Sequence, residues 1–82
     1  MTRYFLHLHN DIEAPDEEGH EFPDDRSALE CALRCARDVA SGAVSEGHLN
    51  LNHFIICVTD QGREVGIVRF ADAVHVTALT GA

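Results

Sequence analysis

The sequence contains no lysine, and its six basic residues, all arginine, are scattered among 14 acidic residues. The formal charge is therefore −8 at pH 7. Nucleic-acid binding depends on neutralising phosphates with basic side chains, and anionic membrane surfaces attract clusters of Lys and Arg. We therefore expect a protein that binds neither nucleic acid nor a membrane.

Long apolar runs are also absent. No stretch approaches the roughly 18 consecutive apolar residues that indicate a spanning helix, and the first residues lack the apolar region and cleavage site of a signal peptide. The three cysteines are an odd number without an export signal, which argues against a disulfide framework. Together these absences predict a cytoplasmic protein.

Motifs of common catalytic sites are missing as well. The sequence has no glycine-rich phosphate loop, no CxxC or HxxxH metal spacing and no triad order. A chain of 82 residues also has little material for a deep, water-excluding pocket. We expect a non-enzymatic protein without a cofactor. The alternative of an enzyme whose site forms only between two subunits stays open.

The stretch from Asp24 to Ser45 is the one segment with sustained helical periodicity. Its apolar residues recur three and four positions apart and form one stripe: Leu29, Ala32, Leu33, Ala36, Ala40, Ala43 and Val44. Asp24 or Asp25 suits the N-cap, and Gly47 suits the position after the last turn. The pattern predicts one main helix.

Four other segments, residues 3–9, 20–22, 52–60 and 64–70, are typical of β-strands. The order β-β-α-β-β predicts an α+β fold, with one helix packed on one face of a small antiparallel sheet. Residues 1–79 should form a single domain, and residues 80–82 a disordered C-terminal end.

The predicted strand at residues 52–60 is apolar on both faces. One helix covers only one face of a sheet, so a second copy or another protein should cover the other. We predict a homodimer or a protein partner, with the contact lined by Phe5, His7, Ile55 and Cys57. The alternative is a two-sided strand that tolerates exposure.

Metal binding is the rival functional hypothesis. His7 and His9 are two apart on a predicted strand, so their side chains share a face. Asp11 or His20 would add to a nitrogen and oxygen set that suits zinc, copper or nickel. Two half-exposed histidines without a metal explain the same pattern. The acidic loop that follows does not match calcium-loop spacing, which favours a solvated turn.

Several short motifs together resemble a known family. They are Arg3-Tyr4-Phe5-x-His7, Asp16-Glu17-Glu18-Gly19-x-Glu21-x-Pro23-Asp24, an Ala- and Arg-rich helix, Asp60-x-Gly62 and Phe70-x-Asp72-Ala73-Val74. This combination is similar to a family of short bacterial domains of unknown function. The chain departs from the usual pattern at Leu6, Phe22 and residues 48–53. The resemblance implies a stand-alone cytoplasmic domain and no particular activity.

Overall fold

The computed structural model describes residues 1–10 and 13–77, which form five strands and two helices. In chain order the elements are β1 (Thr2–His9), β2 (Glu13–Ala14), β3 (His20–Phe22), α1 (Asp25–Ser45), β4 (Phe54–Thr59), β5 (Glu64–Arg69) and α2 (Phe70–Ala73). The predicted α+β class and the order β-β-α-β-β are confirmed, with the two-residue β2 and the one-turn α2 added. The predicted disordered end, residues 80–82, lies outside the described residues.

Strand β1 has neighbours on both of its sides, and every pairing in the sheet is antiparallel. On one side β1 pairs with β4 along most of its length, and β4 pairs in turn with β5. On the other side β2 pairs with the end of β1 and β3 with its start. Strands β2 and β3 therefore act as one returning strand that is interrupted by a loop at residues 15–19.

Helix α1 crosses one face of the sheet, and local signals set its limits. The Asp24 side chain accepts a hydrogen bond from the Ser27 N–H at 2.8 Å, which satisfies one of the donors that a helix start leaves. At the other end the His48 N–H donates to the Ala43 carbonyl at 2.8 Å. The predicted helix is thus confirmed. Neither helix of the described chain is long and apolar enough to cross a membrane.

The core combines small residues on the helix with larger ones below it. Four alanines at successive i,i+4 positions are buried: Ala28, Ala32, Ala36 and Ala40. Because each carries only a methyl group, α1 approaches the sheet closely. Ile55 and Phe70 pack with the last three alanines, and Tyr4 and Cys57 pack with Ala28. The prediction that Val44 continues this stripe is wrong, since its side chain is 57% exposed.

Strand β5 passes close beneath α1 at Gly66. A Cβ built on Gly66 would lie 3.1 Å from Leu29 Cδ2, so the missing side chain admits Leu29 against the strand. The pairing with β4 shifts at this point, with Val65 as the extra residue of a β-bulge. The close packing of Leu29 of α1 against β5 therefore explains why residue 66 is a glycine.

Candidate functional site

The face of the sheet opposite α1 carries no helix or strand from the part of the chain that the structure describes. Residues that pair across antiparallel strands lie on the same face, and His7 lies opposite Ile56, which lies opposite Ile67. The pairing places seven apolar or ring-bearing side chains on this open face: Phe5, His7, His9, Phe54, Ile56, Val58 and Ile67. The open face is the candidate functional site.

Neighbouring side chains on the open face shield one another. The rings of His9 and Phe54 stack with centroids 4.9 Å apart and planes 8° apart. The rings of Phe5 and His7 are also parallel, with centroids 6.2 Å apart. Ile67, at the edge, is 39% exposed. The face therefore presents a continuous apolar and aromatic surface, the kind that marks interaction sites.

Two of the four predicted interface residues lie on the open face, and two do not. Phe5 and His7 project from it. Ile55 and Cys57 are 2% and 0% exposed and pack beneath α1. The prediction that they line the uncovered face is wrong, because five consecutive apolar residues in β4 do not reveal which alternate set meets the helix.

Sequence reasoning left out Phe54, Ile56, Val58 and Ile67 as interface residues. No signal within β4 itself separates them from Ile55 and Cys57. The structure places Leu6, which packs against the core on the helix side of β1, opposite Cys57. The pairing between these two strands therefore decides which β4 residues are covered, and strand pairing is a long-range contact.

The bonding of His7 opposes the metal hypothesis. His7 Nδ1 accepts a hydrogen bond from the Asp16 N–H at 3.0 Å, so the proton of the neutral ring lies on Nε2 and neither nitrogen offers an open lone pair. His9 Nδ1 lies 3.8 Å from Glu13 Oε1. Asp11, the third predicted ligand, lies outside the described residues. Within those residues no group of three His, Cys, Asp or Glu side chains could hold a metal ion.

Asp16 organises the acidic loop between β2 and β3. Its carboxylate accepts hydrogen bonds from the N–H groups of Leu6 at 3.2 Å, Glu18 at 3.2 Å and Gly19 at 3.0 Å. Partial burial acts to raise the pKa of Asp16, but these three donors outweigh it and hold the pKa below its usual value. Neither β2 nor β3 pairs with β1 at Leu6. The Asp16 carboxylate takes the place of a strand neighbour there and accepts the hydrogen bond of the Leu6 N–H.

Gly19 closes this loop with a φ of +71°. A Cβ at Gly19 would lie 2.7 Å from the Tyr4 carbonyl oxygen and 2.9 Å from Phe5 Cε1. Only glycine combines the left-handed backbone with so close an approach. Asp16 and Gly19 of the segment Asp16-Glu17-Glu18-Gly19 are therefore explained by the packing of the loop against β1.

A buried tyrosine links three parts of the fold. The Tyr4 hydroxyl donates to Asp25 Oδ1 at 2.7 Å, and Arg63 donates to both oxygens of Asp25 at 3.1 and 2.9 Å. The bond to Asp25, with burial, raises the pKa of Tyr4 to about 12. The bonds from Arg63 and Tyr4 lower the pKa of Asp25. The neutral hydroxyl serves as a fixed donor that ties β1 to α1 and to the β4–β5 turn.

Two of the cysteines, Cys35 and Cys57, are not activated nucleophiles. Burial raises the pKa of Cys57 to about 11, and burial together with neighbouring Cys31 raises the pKa of Cys35. Cys35 and Cys57 are therefore protonated at neutral pH. Because the thiolate is the reactive form, both thiols are unreactive in this state. Cys57 acts as a small apolar side chain beneath α1.

Comparison with known proteins places this geometry in a sequence family. The model of a family described as a domain of unknown function (DUF6894) matches residues 3–71. No curated protein and no solved structure matches the chain. The matched range contains the whole open face, the Asp16 loop and Gly19. Those features therefore lie within the part of the chain that defines the family.

Proposed function

The chain belongs to the family described as a domain of unknown function (DUF6894), and we propose that it is a non-enzymatic protein-interaction module that self-associates through the open face. One observation carries this proposal. Phe54, Ile56 and Val58 of an inner strand project from the side opposite α1. Apolar surface of this kind on a small domain usually contacts another protein.

The size of the open face suits a modest dimer interface. Strands lie about 4.8 Å apart and residues rise about 3.3 Å along them, so six residues of each of the three long strands β1, β4 and β5 cover about 14 by 20 Å. With side-chain relief, two such faces bury on the order of 800 Å² in total, a size typical of weak, transient contacts. We therefore expect reversible association that depends on concentration.

A second copy fits because the face complements itself. A two-fold axis along the strands, midway between β1 and β4, lays β1 of one copy over β4 of the other. His9 then meets Phe54 of the second copy, a ring pairing that already occurs within each copy. Arg3 meets Asp60 of the second copy, since Asp60 follows β4 and its N–H donates to the Arg3 carbonyl. Opposite charges therefore come together at one end of the contact.

Replacing Ile56 with Asp should halve the mass of the assembly without unfolding the subunit. Ile56 lies on the open face, so the new carboxylate is solvated in a free subunit and loses its hydration only in the assembly. Size-exclusion chromatography with multi-angle light scattering measures the mass at matched concentrations, and circular dichroism reports the fold.

Val44→Asp is the matched control, because Val44 is an exposed apolar side chain at the end of α1. This variant should keep the wild-type mass. A well-folded Ile56→Asp protein of unchanged mass would contradict the proposal. So would a wild-type protein that stays monomeric across the concentration range.

A further inference from the structure

Strand β5 forms one edge of the sheet, and within the described residues no strand pairs with its outer side. The Phe70 N–H, just after β5, donates to the His53 carbonyl at 2.9 Å. Because hydrogen-bonded and non-hydrogen-bonded pairs alternate in antiparallel ladders, Ile67 and Arg69 direct their N–H and C=O groups outward. Another strand can add to the edge of a sheet by hydrogen bonding to N–H and C=O groups of this kind.

Opposite charges flank this edge. Glu64 begins β5 opposite Val58, and Arg69 ends it opposite Phe54, so both belong to the open-face side. When two β5 strands pair antiparallel with Ile67 on the two-fold axis, Arg69 of one copy comes beside the bulge that starts at Glu64 of the other. One Glu–Arg pair forms on each side of the axis, which makes the edge complementary to itself.

An apolar groove of about 570 Å³ lies between α1 and β5. Leu29, Leu33 and Val68 line it, with Ile67 beside them. In the same pairing, Val68 of the second copy comes opposite Gly66, the position that carries no side chain. The added strand therefore covers apolar surface on the helix side as well as satisfying backbone groups at the edge.

We propose that β5 pairs with β5 of a second copy and joins the two sheets into one. This contact uses the edge of the sheet and does not rest on the proposed function of the open face. The edge axis is perpendicular to the sheet and passes beside β5, whereas the open-face axis runs along the strands midway between β1 and β4. The two axes do not intersect, so the two contacts together extend into an open row of copies and do not close into a small oligomer.

Charge reversal at the edge tests this contact. Glu64→Arg places two arginines together on each side of the axis and should lower the mass measured by light scattering. Glu64→Arg combined with Arg69→Glu restores opposite charges and should restore the wild-type mass. Glu17→Arg, in the exposed loop at the opposite edge of the sheet, is the control and should leave the mass unchanged. Circular dichroism establishes that each variant is folded.

Combination with Ile56→Asp separates the edge contact from the open-face contact. If both form, the wild type assembles beyond a dimer, each single variant is a dimer held by the remaining contact, and Glu64→Arg with Ile56→Asp is a monomer. A Glu64→Arg protein of wild-type mass, with a lighter Ile56→Asp protein, overturns the edge contact and leaves the proposed function standing. The reverse result overturns the proposed function alone. If the charge swap at Glu64 and Arg69 fails to restore the mass, the edge contact is also overturned. The flanking charges and the bulge would then serve only to keep other strands from adding to β5.

Discussion

Replacing Ile55 with Asp is expected to leave the chain unfolded at room temperature. Ile55 is 2% exposed and packs in the core beneath α1. A carboxylate there loses its hydration among apolar side chains, which costs several kcal/mol, and the lost aliphatic packing costs about 2–5 kcal/mol more. A domain of this length has a free energy of unfolding of only about 4–12 kcal/mol. The two losses together remove most or all of it.

The adjacent residue supplies the matched control. Ile56→Asp makes the same change one position along the same strand but on the open face. In urea titrations followed by circular dichroism, Ile56→Asp should keep a cooperative transition, and Ile55→Asp should show none. A folded Ile55→Asp protein with a cooperative transition would contradict the placement of Ile55 beneath the helix.

Asp16→Ala is expected to lower the free energy of unfolding by about 2–4 kcal/mol. The substitution removes the acceptor for three backbone N–H groups. One of these belongs to Leu6, within β1, and finds no strand neighbour at that point of the edge. Urea unfolding at neutral pH measures the loss. A variant within about 0.5 kcal/mol of the wild type would show that the loop does not depend on this carboxylate.

Lowering the pH should remove the same contribution of the Asp16 carboxylate to the free energy of unfolding. The pKa of Asp16 in the folded protein lies below its ordinary value of 3.8. The stabilisation is therefore complete above that value and is lost as the pH falls through the lowered pKa of the folded state. Asp16→Asn keeps one acceptor oxygen but does not titrate. Between about pH 5 and pH 2 its stability should fall less than that of the wild type, and parallel pH profiles would contradict this role.

The helix could be predicted from the sequence because its signals are local. The apolar stripe and the N-cap at Asp24 lie within one stretch of chain, and the structure confirms both except for the end of the stripe at Val44. The faces of β4 could not be assigned in this way. Its two alternate sets of residues are both apolar, and only the pairing of Leu6 with Cys57 puts the odd-numbered set beneath α1.

The contacts of the acidic loop could not be predicted from its own sequence either. Its charge and turn residues predict a solvated loop, and nothing in its own sequence indicates a contact with β1. The role of Asp16 depends on two short strands that flank the loop and leave the Leu6 N–H without a ladder partner. The bond that the Asp16 N–H donates to His7, which counts against His7 as a metal ligand, likewise joins segments whose approach the sequence does not reveal.

The most direct test of the open face is an isotope-filtered NOE experiment on a mixture of labelled and unlabelled copies. Such NOEs arise only between protons of different molecules that lie close together. The open-face contact predicts cross-peaks from the methyl groups of Ile56 and Val58 to protons of the other copy, including those of Phe5 and His7. Intermolecular cross-peaks that involve neither methyl group, or no intermolecular cross-peaks at millimolar concentration, would contradict it.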